Sequence, residues 1–449
     1  MAVKIVRRET IKPSSPTPPN LKIFKLSFLD QIAPPVYTSL VLFYPANNNT
    51  DNHVNATSDH LKKSLSEALT RFPQLAGRID SKDTTAIECT DDGAQYIEAK
   101  FNGTLSTFLD QPNEPQRFIP AKVESPEAAT GPLLLVQATF FDGGGLAIGV
   151  CVSHKTADAA TLSIFLKSWS RCGHLAESTP ADLNPPRSDP VEERRPNLKP
   201  ALVTKPPNQP GFPLPGGRSI LARKIPVESV SKRYVFDKSK IAALRAKAAS
   251  DGVKQPTRVE VVTSLVWKCA INASRLSSTP DINHYRLFQL VDIRKRVEPP
   301  FPENSTGNLV GFSNVQVEYN KEKLELQGLV AKLRKEVEEF SEKDAKRLGG
   351  DEAANVVSQW SKEVEDLTGR DDVKSLLCDS WCDYGFYEVD FGWGKPIWAS
   401  RPSSSQENNI FTLMDTKESG GVEVGLTLSK KNMASFERDP ELLAFAAPL

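Results

Sequence analysis

LLLVQATFFDGGGLAIGVCVSHKTADAATLSIFLKSW, residues 133–169, is the stretch on which the reading of the fold turns. Leu133 to Phe141 is apolar and partly β-branched, Asp142-Gly143 is a turn signal, and Leu146 to Ser153 again suits a strand, so the two runs form a buried hairpin. Beyond them Leu162, Phe165, Leu166 and Trp169 recur at helical spacing, which puts Asp158 at or near the first turn of a helix. His154 is left where the hairpin ends, at a strand-to-helix corner.

Such a corner suits a general base, because an imidazole accepts a proton near neutral pH and a strand end holds its nitrogen in place. A bland alternative stands beside it: His-x-x-x-Asp is a short pattern, with Asp158 capping a helix and His154 filling a core position. Half a metal site is a third reading, but the chain has five histidines (53, 60, 154, 174 and 284) and none supplies a nearby third ligand. Gly143-Gly144-Gly145 lacks the phosphate-loop spacing and precedes a strand, so it reads as a turn.

Working outward, helical spacing recurs at Leu61, Leu65, Ala68, Leu69 and Phe72, with Thr57 or Ser58 as the cap and Pro73 as the stop. Prolines at 185, 186, 190, 196, 200, 206, 207, 210, 213 and 215 make 185–217 an extended connector, since proline lacks an amide donor and disfavours helix before it. After it, Tyr234-Val235-Phe236 reads as a strand and Asp237 caps a helix carrying Ile241, Leu244 and Ala248. Two further helices carry Val259, Val262, Leu265, Val266 and Cys269, and then Leu326, Leu329, Val330, Leu333, Val337 and Phe340. Ile410 to Met414 and Val422 to Leu428 flank Gly420-Gly421 as a hairpin. Strands and helices are mixed on both sides of the connector, so the expected fold is α/β with two similar layers.

At 449 residues the chain suits two domains of roughly 200 residues each. Lysine plus arginine equal aspartate plus glutamate at 56 each, which leaves no net field for a nucleic-acid backbone or an acidic membrane. Charged residues in Met1 to Thr10 and the lack of a long apolar run predict a soluble intracellular protein. Six scattered cysteines read as free thiols, and the Cys378/Cys382 pair lacks the second pair that a zinc site needs.

A second segment, Asp390-Phe391-Gly392-Trp393-Gly394-Lys395-Pro396, completes the picture. With His154-Lys155-Thr156-Ala157-Asp158 it resembles the two hallmark motifs of the BAHD family of plant coenzyme A-dependent acyltransferases. The resemblance continues through Phe72 to Arg78, Arg258 to Lys268, Gly307-Asn308 and Phe411 to Asp415. Lys12 to Pro18 and Leu26 to Gln31 look like the group containing vinorine synthase and salutaridinol acetyltransferase.

This resemblance implies two domains, each a mixed β-sheet flanked by helices as in chloramphenicol acetyltransferase, with an active-site channel at their interface. The expected boundaries are 1–184 for the first, 185–217 for a crossover loop and 218–449 for the second, which carries the Asp-Phe-Gly-Trp-Gly loop. It implies that His154 is the base, that Asp158 pairs with an arginine, for which Arg294 is the candidate, and that Trp381 offers its indole N–H to the thioester oxygen. Asp390 is a catalytic candidate that more often serves as loop structure, with Trp393 pinning that loop; Asp379 departs from the family's threonine or serine. Thr257 and Thr263 are the candidate coenzyme contacts. The expected activity is transfer of acetyl from acetyl-CoA, as a co-substrate with no tightly bound cofactor or metal, to an alkaloid or terpenoid alcohol by a cytoplasmic monomer. A larger aliphatic or aromatic acyl-CoA, or a catalytically silent binding relative, are the alternatives.

Overall fold

A computed structural model of the chain describes residues 2–46, 53–110, 112, 114–177, 228–277, 282–319, 324–349, 352–368, 370, 372–404 and 407–449. The connector expected at 185–217 lies outside them. By their contacts the residues form two compact units: Met1–Gly217, Phe301–Leu309 and Tyr384–Ser404 in the first, and Arg218–Pro300, Val310–Asp383 and Ser405–Leu449 in the second. Chain order and packing therefore part company. Two segments from the C-terminal half, one with Gly307-Asn308 and one with Asp390 to Gly394, belong with the first unit.

Strands are numbered along the chain. In the first unit, β2 (Ile23–Lys25), β4 (Arg78–Ile79) and β5 (Ala86–Glu88) make a small sheet. Its main sheet has the order β1-β6-β7-β8-β3-β13, from β1 (Val3–Ile11), β3 (Tyr37–Tyr44), β6 (Ala94–Phe101), β7 (Leu134–Phe141), β8 (Leu146–Ser153) and β13 (Trp398–Ser400). The hairpin expected at 133–153 is present, with Leu134 opposite Val152 and Phe140 opposite Leu146. Its turn puts Gly143 and Gly144 at φ +79° and +94°, a region costly for any side chain.

Every residue of β7 and β8 is buried. Phe43, Phe101, Phe108, Phe118 and Phe141 form one core cluster, in which Phe43 stacks on Trp398 at 4.9 Å and meets Phe118 edge-on at 5.3 Å. Aromatic pairs of this kind add about 0.5–1.5 kcal/mol beyond area burial, which anchors the three-residue β13 to the sheet. The helix His53–Arg71 packs against the helix Ala159–Glu177. It starts before the cap expected at Thr57 or Ser58, and both residues lie buried within it. Ser58 there donates its hydroxyl to the buried Glu98 carboxylate at 2.7 Å, so its polarity serves a tertiary partner instead of a helix end. Pro73 does stop the helix, and opens the short turn Pro73–Ala76.

The second unit has a sheet of order β11-β10-β12-β14-β15-β9-β16: β9 (Ser229–Phe236), β10 (His284–Asp292), β11 (Val310–Glu318), β12 (Val373–Ser380), β14 (Ile410–Asp415), β15 (Val422–Ser429) and β16 (Ala447–Pro448). Asp237 caps the helix Lys238–Ala248 by accepting from the Lys240 amide at 2.8 Å, as its position suggests. The helices Arg258–Ser277 and Leu326–Lys343 bury Val262, Leu265, Val266 and Leu329, Val330, Leu333, the apolar stripes read from the sequence. β14 and β15 pair antiparallel around the expected glycine turn. All six cysteines are buried free thiols. Among the described residues no helix is long and apolar enough to cross a membrane.

Candidate active site

β8 ends at Ser153, and the chain turns at once: the Thr156 amide and hydroxyl both donate to the Ser153 carbonyl at 2.9 Å, and the His154 amide donates to Val36 O at 2.9 Å. His154 is thereby pinned by backbone on a buried sheet with its ring half-buried. Asp158 caps the helix Ala159–Glu177, as expected, through its Oδ1, which accepts from the Thr161 amide at 2.8 Å. Its Oδ2 accepts from the Leu309 amide at 3.0 Å, tying the corner to a segment far along the chain.

That segment brings in a residue to which sequence reasoning gave no role. Asn308 Oδ1 lies 2.8 Å from His154 Nδ1, and Asn308 Nδ2 donates to the His154 carbonyl at 2.6 Å and to Asp30 Oδ1 at 2.9 Å. Asp30 is buried and also accepts from the Asn308 amide at 2.6 Å and the Ser27 amide at 2.9 Å. Burial pushes its carboxyl above the usual range, opposed by these hydrogen bonds. The signal was present, since both Leu26 to Gln31 and Gly307-Asn308 carry the family resemblance, but nothing local says that they meet.

Lys155 is the corner's other buried charge, donating Nζ to the Gln31 carbonyl at 2.8 Å. Burial lowers its ammonium to about 8, with the Asp30 charge pulling the other way. Between that value and the ordinary 10.5, the unfolded chain holds a proton that the folded chain has released. The resulting penalty on folding is fully present below pH 8 and fades as the pH rises toward 10.5. Urea midpoints should therefore rise across this window more steeply in the wild type than in Lys155→Met; parallel slopes would remove Lys155 as their source.

Asp390 Oδ1 accepts from the Gly392 and Gly394 amides at 2.8 and 2.9 Å, closing the loop on itself. Both glycines have positive φ, at +109° and +104°, the conformation this tight closure needs. Trp393 stacks on Phe391 at 5.5 Å and meets His60 and Tyr44 edge-on at 5.4 and 6.3 Å, so it pins the loop to the first unit.

The remaining candidates lie in the second unit. Trp381 is buried and donates its indole N–H to Asp379 Oδ2 at 2.8 Å, so this N–H points at a carboxylate. Arg294 is buried, and its guanidinium donates to Asp292 Oδ1 at 3.3 Å. Thr257 is exposed and makes a reciprocal cap with Glu260 at the start of its helix. Thr263 has no exposed surface and faces Cys378 Sγ at 3.6 Å, so its hydroxyl would meet a ligand only if helix and strand moved apart. Among the described residues no group of three or more His, Cys, Asp or Glu side chains is arranged to hold a metal.

The sequence profile of a family described as the Transferase family matches residues 1–443. A limonoid 21-O-acetyltransferase of Melia azedarach is 33% identical, covering 100% of this chain and 99% of its own. A BAHD acyltransferase of Arabidopsis thaliana is 35% identical over 99% and 97% of the two chains. The crystal structure of vinorine synthase is 32% identical, covers 99% of this chain and 98% of its own, and superposes with a TM-score of 0.74. The chain belongs to the BAHD acyltransferase family. As a BAHD member it is an acyl-CoA-dependent O-acyltransferase, with acyl-CoA and a small-molecule acceptor as its substrates, and its two mixed sheets are those of the coenzyme A-dependent acyltransferase fold.

Proposed function

We propose that this BAHD enzyme transfers acetyl from acetyl-CoA to a hydroxyl of a plant alkaloid or terpenoid alcohol, with His154 as the general base. The observation that carries the reading is the His154 ring itself, held at a strand end with Nδ1 engaged by Asn308 at 2.8 Å. Nε2 then accepts the hydroxyl proton as the acceptor oxygen bonds to the thioester carbonyl carbon. The C–S bond breaks as the tetrahedral intermediate collapses, and the imidazolium returns its proton to the departing thiolate. No covalent acyl-enzyme is needed. Acetyl and the acceptor class draw support from the name of the limonoid 21-O-acetyltransferase. Incubation with competing acyl-CoA donors and a panel of alkaloid and terpenoid alcohols, scored by mass spectrometry, tests the reading. Preference for a larger acyl donor would replace acetyl, and absence of thiol release with every alcohol would favour a silent binding relative.

Asp390 is assigned to loop structure, since its Oδ1 serves two amides of its own loop. Asp390→Asn keeps an acceptor oxygen and should retain kcat within about threefold, whereas Asp390→Ala should lower thermal stability by about 1–3 kcal/mol. A loss of more than a hundredfold in kcat by a folded Asp390→Asn variant would instead make the carboxylate catalytic. Trp381 is kept as an oxyanion donor on the condition that Asp379 yields its N–H, and Thr257 as a coenzyme contact. Cytoplasmic, monomeric operation completes the proposal.

A further inference from the structure

We propose that Asn308, itself held by buried Asp30, is a positioning residue that fixes the tautomer of His154 and leaves Nε2 as the nitrogen with the free lone pair. The inference rests on His154 being the base, but its geometry is independent of any substrate.

The amide of Asn308 can face its neighbours in only one sense. Its Nδ2 side meets two acceptors, Asp30 Oδ1 at 2.9 Å and the His154 carbonyl at 2.6 Å. A flipped amide would set its oxygen against a carboxylate and a carbonyl and lose both hydrogen bonds. With Nδ2 committed, Oδ1 is the atom 2.8 Å from His154 Nδ1. An amide oxygen only accepts, so Nδ1 carries the hydrogen. In the neutral ring, Nε2 is then the acceptor. When the ring is protonated, the Nδ1–H bond to Asn308 persists, so the partner need not reorganise during proton transfer.

Asp30 supplies the rigidity. It accepts from the Asn308 amide as well as the side chain, at 2.6 and 2.9 Å, and from the Ser27 amide at 2.9 Å, while Ser27 Oγ accepts from the Asp30 amide at 3.1 Å. The groups named here that reach its carboxylate oxygens, the Asn308 amide and side chain and the Ser27 amide, are all donors, and they favour the ionised form against the burial that raises its pKa. Gly307 makes the approach possible: at φ +112° a Cβ there would lie 3.3 Å from both Asp30 oxygens. Thr161 clamps the same turn, donating to the Gly307 carbonyl at 2.9 Å and accepting from its amide at 3.1 Å. Asp30 and Asn308 are 2% and 5% exposed, so water cannot readily replace either partner. An amide also suits this place better than a carboxylate would, because a second negative charge beside Asp30 is avoided.

The test reads the ring directly. Protein labelled with ¹⁵N at histidine is examined by long-range ¹H–¹⁵N correlation under conditions where His154 is neutral, the His154 signals being those lost in His154→Gln. The expected result is a protonated Nδ1 and an unprotonated Nε2 in the wild type, turning to a mixture of tautomers in Asn308→Ala. Steady-state rates of Asn308→Ala should fall about 10- to 100-fold in kcat with KM for acyl-CoA within twofold. A wild-type ring protonated at Nε2, or an unchanged tautomer in a folded Asn308→Ala variant, overturns the proposal. The wild-type spectrum decides even if Asn308→Ala does not fold. Full activity of His154→Ala, by contrast, would defeat the base assignment while leaving the tautomer result standing.

Discussion

His154→Ala is expected to lose roughly 10²- to 10⁴-fold in kcat while remaining folded, the loss typical of removing a positioned general base. The fold should survive because the corner is built by backbone. The His154 amide bonds to Val36 O, and the Thr156 amide and hydroxyl bond to the Ser153 carbonyl, none of which needs the imidazole. The alanine does leave the Asn308 amide oxygen without its ring partner, at a cost of about 1–3 kcal/mol if water does not enter. Circular dichroism and a urea midpoint, measured beside single-turnover acyl transfer, separate the two effects. Turnover within a few-fold of wild type would refute the base assignment.

Asp158→Ala carries the second large effect, and it should fall on stability before chemistry. The buried carboxylate binds the Thr161 amide with one oxygen and the Leu309 amide with the other, joining a helix start to a segment about 150 residues away. Hydrogen bonds to a charged group are worth about 1.5–3 kcal/mol each, so the joint loss of the two should cost about 3–6 kcal/mol in urea unfolding. Asp158→Asn sharpens the test. It keeps one oxygen for Thr161 but turns an N–H₂ toward the Leu309 amide, so it should recover about half of the loss. Because Leu309 adjoins Asn308, both variants should also reduce kcat by displacing the partner of His154. An Asp158→Ala protein as stable as the wild type would contradict the linkage.

Much of the fold was legible because its cues are local. Alternation and a glycine turn mark β7 and β8, helical periodicity marks 258–277 and 326–343, and Asp237 announces its helix by capping it. The start of the helix His53–Arg71 misled, because Ser58 looks like a cap when its tertiary partner Glu98 is unknown. The packing of β13 and the Asp390 loop with the N-terminal unit was also out of reach, since it depends on Trp398 meeting Phe43 and Trp393 meeting His60.

The same division runs through the site. Residues 133–169, read alone, placed His154 at a strand end and Asp158 at a helix start, because backbone geometry and capping act within a few residues. The folded chain was needed to show that Asp30 and Asn308, 278 positions apart, meet behind the ring of His154. Hydrogen-bond direction depends on which donors and acceptors face one another across space, and no periodicity along the chain records that.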